Sequence, residues 1–76
     1  MKSYKANLTF SIKKMLRTNK EGVVEIEAES FDDAVKQAKA IIKYGSAELD
    51  DIAMSLLGTS SNYDVQLESV FETFQL

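Results

Sequence analysis

The side chains able to do chemistry in this chain are almost all carboxylates and amines. Asp32 and Asp33 adjoin a serine, Asp50 and Asp51 stand near Glu48, and Glu25, Glu27 and Glu29 alternate along one run. Paired carboxylates perform acid–base chemistry when two converge in a shielded cleft. Adjacent helical residues diverge by about 100°, so both aspartate pairs are expected to favour helix starts, where negative charge complements the dipole. The three alternating glutamates share one strand face and suit a hard cation in ligand type. They lack the loop of a calcium site, and a solvated strand face is the expected reading.

Other catalytic parts are missing from the composition. The chain has no histidine and no cysteine, which removes the usual proton shuttle near neutral pH, a thiolate nucleophile and a thiolate metal site. No serine lies in a Gly-x-Ser-x-Gly turn, and three dispersed glycines cannot build a phosphate-cradling loop. The expectation is a binding protein, not an enzyme, with no cofactor and no metal.

The amines are unevenly placed. The first twenty residues carry Lys2, Lys5, Lys13, Lys14, Arg17 and Lys20 and no acid, whereas residues 44–76 carry six acids and no base. Lys36, Lys39 and Lys43 recur at helical spacing and share one face. A net charge of −3 and a pI near 4.8 conceal this separation. One reading is solubility and internal pairing, since lysines of a first strand can meet glutamates of a second. The sharper reading makes Lys13, Lys14, Arg17 and Lys20, beside exposed Met15 and Leu16, a positive hairpin tip for phosphates or an acidic protein surface. Lys36, Lys39 and Lys43 form a second partner-binding patch. Against direct nucleic-acid binding stand the acidic total, the single arginine and the lack of interleaved stacking aromatics. The acidic second helix and third strand offer the converse: an imitation of a phosphate backbone that occupies another protein's DNA channel.

These residues need elements to position them. Tyr4, Ala6, Leu8, Phe10 and Ile12 alternate with polar residues, the period of a strand with one buried face. Val24, Ile26 and Ala28 alternate with glutamates in a second strand at Val23 to Glu29, joined to the first by a polar stretch through Thr18, Asn19, Lys20, Glu21 and Gly22. Ser30 reads as an N-cap, and Phe31, Ala34, Val35, Ala38, Ile41 and Ile42 form a helical stripe stopped by Gly45. A shorter helix runs from Ser46 to Gly58 on Leu49, Ile52, Ala53 and Leu56. Tyr63, Val65 and Leu67 open a third strand, and past Ser69 the apolar parity switches to Val70, Phe74 and Leu76, the mark of a β-bulge or of a strand leaving the sheet.

The expected fold is one α+β domain over residues 1–76, ordered β-β-α-α-β, with a three-stranded, mainly antiparallel sheet whose helices pack on one face. The other face would carry Lys5, Asn7, Thr9, Ser11, Lys13, Val23, Glu25, Glu27, Glu29, Asp64, Gln66 and Glu68. A chain of this length buries about 60% of its unfolded surface, enough for one core and little for a deep pocket. The alternating N-terminus is unlike a signal peptide, and no run approaches the ~20 apolar residues of a membrane span. A soluble cytoplasmic protein, monomeric or homodimeric and without a membrane partner, is expected.

Residues 22–38, Gly-Val-Val-Glu-Ile-Glu-Ala-Glu-Ser-Phe-Asp-Asp-Ala-Val-Lys-Gln-Ala, run a glutamate-rich strand into a capped helix with Asp-Asp-Ala-x-x-x-Ala. Over roughly residues 3–43 the chain resembles the DpnD/PcfM-like domains of phage and mobile elements, and some small anti-CRISPR proteins. That resemblance implies a phage-borne binding protein, first of all an anti-CRISPR inhibitor that binds a Cas surveillance complex and blocks DNA recognition. The alternatives are a nucleic-acid-associated accessory protein of a phage or conjugative element and a small homo-oligomeric structural module.

Overall fold

The period-two run that opens the chain forms β1 (Lys2–Ile12). The computed structural model of the protein describes residues 1–14 and 19–73. Tyr4, Ala6, Leu8 and Phe10 point inward and are buried, while Ser3, Lys5, Asn7, Thr9 and Ser11 face the other way. β2 (Lys20–Ala28) adds Val24, Ile26 and Ala28 to the same buried face. β3 (Tyr63–Glu72) completes the sheet in the order β2-β1-β3, with both pairings antiparallel.

The link between β1 and β2 is shorter than the sequence suggests. Lys20, Glu21 and Gly22 belong to β2, opposite Phe10, Thr9 and Leu8. Gly22 lies within the strand, opposite Leu8, where a Cβ would sit 2.7 Å from Phe10 Cε1 and 3.0 Å from Ile52 Cγ2. Glycine is the residue that lets the second helix close on the sheet at this point. Lys13 and Glu29, expected on the open face, lie just beyond the strand ends.

Two helices cover the inner face. α1 (Phe31–Tyr44) starts at Ser30, whose Oγ accepts from the Asp33 N–H at 3.2 Å, while Asp33 Oδ2 accepts from the Glu29 N–H at 3.3 Å. This reciprocal arrangement resembles a capping box. Gln37 Nε2 donates to the Glu27 carbonyl at 3.0 Å and ties α1 to the end of β2. At Gly45 φ is +77° but ψ is 167°, so the stop has positive φ without being a left-handed helical cap. α2 (Ala47–Leu57) is capped by Ser46 and closed by a left-handed Gly58.

Small residues set the layer spacing. Ala34 and Ala38 on α1, Ala53 on α2, and Ala6 and Ala28 on the sheet are all buried, so backbones approach closely around Tyr4, Phe10 and Leu49. Phe31, expected on the inner stripe, is half-exposed and meets Tyr4 with 6.4 Å between ring centroids. It is the first residue of the helix, at the rim of the core.

β3 carries the expected bulge, one residue before the parity switch. Leu8 opposes Leu67 and Asn7 opposes Ser69, so Glu68 is the extra residue. Pairing with β1 continues to Glu72, and the strand does not leave the sheet. Its ends are laced by Lys13 N–H to the Asn62 carbonyl at 3.2 Å and by Thr73 N–H to the Ser3 carbonyl at 2.8 Å. Phe74 and Leu76 lie outside the described residues. Among the described residues no helix is long and apolar enough to cross a membrane.

Candidate functional site

A sheet covered on one side presents its other side whole. Across the open face the register aligns Glu27 with Ser3, Glu25 with Lys5, Val23 with Asn7, and Glu21 with Thr9. From the other edge, Phe71 stands beside Lys5, Ser69 beside Asn7, Gln66 beside Thr9, and Asp64 beside Ser11. The outer strands therefore carry Glu21, Glu25, Glu27, Asp64 and Glu68, and the central strand answers with Lys5 alone. Lysine–glutamate pairing across β1 and β2 is confined to Lys5 opposite Glu25.

The spacing of these charges follows from strand geometry. Alternate residues on one strand lie about 7 Å apart, and the two outer strands lie roughly 10 Å apart across β1. Two acidic rows thus flank a neutral polar floor of Asn7, Thr9 and Ser11. The face is concave toward the hairpin end, where Thr9, Ser11, Glu21, Val23, Asp64 and Gln66 line a broad trough. Thr9 Oγ1 donates to Glu68 Oε1 at 3.0 Å, and Asn7 Nδ2 donates to Ser69 Oγ at 2.9 Å, so the floor is braced toward β3.

Apolar groups interrupt the polar face at two places. Val23 and Phe71 are 47% and 44% exposed, on opposite edge strands in neighbouring rows. An exposed aromatic beside charged groups is the composition of a binding hot spot.

The cations of the sequence analysis fall mainly elsewhere. Lys13 and Lys14 are exposed in the turn after β1, and Lys14 has a left-handed φ of +67°. Lys20 opens β2 at the same end of the sheet. Met15, Leu16, Arg17 and Thr18 lie outside the described residues. Lys36, Lys39 and Lys43 are exposed on α1, on the helix layer. The two basic groups therefore occupy the hairpin end and the helical side, and Lys14 of the first lines the hairpin end of the open-face trough.

Of the acids, Glu48, Asp50 and Asp51 sit on α2, behind the sheet as seen from β3's acids. The acidic surface joins β3 to β2 instead of to α2. Strand alternation places Glu25, Glu27, Asp64 and Glu68 on one face; the strand order adds that β1 lies between the two acidic rows. Asp50 has a local role: it accepts from the Tyr63 hydroxyl at 2.9 Å. Partial burial, that hydrogen bond and the Asp50 charge push the Tyr63 hydroxyl up to about 12. Among the described residues no group of three acidic side chains is placed to hold a metal ion.

Comparison of the chain with protein-family models, with curated proteins and with solved structures gives no match.

Proposed function

We propose that this chain is a non-enzymatic, stoichiometric binding protein whose open sheet face docks on a basic, nucleic-acid-binding surface of a partner. The observation that carries this reading is the face itself: five carboxylates on the outer strands against Lys5 on the central strand and Lys14 at the hairpin end, with Phe71 and Val23 exposed among them. Dense Lys/Arg surfaces are the electrostatic footprint of nucleic-acid channels, and an acidic face at strand spacing competes for those cations.

A phage-borne anti-CRISPR inhibitor that blocks DNA recognition by a Cas surveillance complex is the specific form of this function. It needs no catalytic group, and the strand–helix junction at residues 22–38 resembles such proteins. The test is restriction in living cells. Expression in hosts whose Cas systems restrict a phage should restore plaque formation, with DNA cleavage products absent. Full restriction across the systems tried would remove the anti-CRISPR form.

The accessory reading rests on the exposed Lys13 and Lys14 at the hairpin end. It requires direct, salt-sensitive binding of the chain to nucleic acid. The acidic face opposes that contact, so an anisotropy titration at about 50 mM salt is expected to show none.

A further inference from the structure

The far edge of β3 has features that the open face does not explain. β3 is an edge strand, paired with β1 on one side only. Its inward residues Val65, Leu67 and Val70 are only partly buried, whereas β1 and β2 supply fully buried ones. Beside them runs a groove whose other wall is α1, lined by Lys39, Ile42, Lys43, Val65 and Leu67. The Lys43 ammonium lies 5.3 Å from the ring centroid of Tyr44, which is 77% exposed.

An edge of this kind is charged differently on its two sides. On the helix side stand Lys39 and Lys43 over an apolar floor of Ile42, Val65 and Leu67. On the open side stand Asp64, Gln66 and Glu68. A strand added here would lie about 4.8 Å from β3, and its side chains would alternate between the two environments. Acidic or apolar side chains suit the first environment and basic ones the second.

We infer that the β3 edge, from Tyr63 to Leu67, is a strand-addition site for an extended segment of a partner protein in which acidic or apolar residues alternate with basic ones. A second copy of this chain fits poorly. Two-fold antiparallel pairing of β3 with itself about Gln66 sets Asp64 of each copy opposite Glu68 of the other on one side. Directly opposed like charges destabilise a sheet, and on the other side the pairing brings the Lys39 and Lys43 amines of the two α1 helices toward each other. The Glu68 bulge also bends the edge away from long, regular pairing.

The probe is a synthetic peptide of ten residues, the length of β3, with lysines alternating with glutamate and valine. Its control has the same composition arranged in blocks, which separates strand addition from attraction of lysines to the acidic face. By fluorescence anisotropy the alternating peptide should bind at least about tenfold tighter than the block peptide, a clear margin in free energy. The Lys39→Glu/Lys43→Glu variant, altered at two exposed positions, should lose about tenfold of that affinity at an unchanged melting temperature. Hydrogen exchange should slow at backbone amides of Tyr63–Leu67 in the complex. Equal affinity for the two peptides, no binding of either, or protection confined to β2 would overturn the inference. So would light scattering that shows a dimer which the peptide cannot dissociate.

Discussion

The Thr9 hydroxyl donates to the Glu68 carboxylate at 3.0 Å, across the one place where β1 and β3 fall out of step. Glu68 is the inserted residue, and the insertion reverses the parity of everything after it. Before it, Tyr63, Val65 and Leu67 turn toward the helices; after it, Val70 does, and Phe71 is delivered to the open face. Without the bulge Phe71 would point at the helix layer. One extra residue therefore supplies both a carboxylate and the exposed aromatic of the candidate site.

Phe71 is predicted to matter for binding far more than for folding. Phe71→Ala removes a half-exposed ring, so the thermal midpoint should move by only a few degrees. Partner affinity should fall by about tenfold or more, as for a central aromatic anchor. Calorimetric titration alongside thermal unfolding separates the two effects. A large drop in midpoint with little loss of affinity would make Phe71 structural.

Gly22 is predicted to be intolerant of any side chain. Its absent Cβ leaves room for Phe10 Cε1 at 2.7 Å and Ile52 Cγ2 at 3.0 Å, both belonging to the packed interior. Gly22→Ala should cost about 1–3 kcal/mol through overpacking, against a smaller gain from lost chain entropy. Urea denaturation measures the difference, and a neutral or stabilising result would mean that α2 sits further from the sheet.

Tyr63 gives a pH prediction with a definite sign. Its hydroxyl is raised to about 12, first by burial and then by Asp50, whereas an unfolded tyrosine ionises near 10. The neutral phenol is the form the fold favours. Its contribution is complete below pH ~10 and is lost as pH rises toward 12. The phenolate absorbance of the folded protein should show one late tyrosine that Tyr63→Phe removes. The same variant should cost about 0.5–1.5 kcal/mol at neutral pH, the net value of one hydrogen bond. Loss of an early-titrating tyrosine instead would contradict the contact with Asp50.

Local patterns made much of the fold legible. The alternation from Tyr4 to Phe10, the serine caps at Ser30 and Ser46 and the glycine stops are decided within a few residues of chain. Even the bulge left its trace in the parity change after Leu67. What the pattern could not carry was lateral order. Placing β1 at the centre sets Glu21, Glu25 and Glu27 on one outer strand and Asp64 and Glu68 on the other, although nearly forty residues separate Glu27 from Asp64. Gly22 was read as part of a loop because its reason lies in Phe10 and Ile52, one on a neighbouring strand and one on α2. The clustered lysines were conspicuous in the sequence because they are close along the chain. Strand alternation already places Glu25, Glu27, Asp64 and Glu68 on one open face; the register adds Glu21 and shows which residues stand side by side.

The most direct test of the acidic face is competition for DNA on a Cas surveillance complex, read by anisotropy of labelled target DNA. The wild-type protein should displace the DNA at stoichiometric concentration. Glu25→Lys/Glu27→Lys should displace it at least about tenfold less well, since each lost charge contact is replaced by repulsion. Lys13→Glu/Lys14→Glu should act like the wild type. Full displacement by the glutamate variant, with loss of displacement by the lysine variant, would contradict the account and move the binding surface to the hairpin.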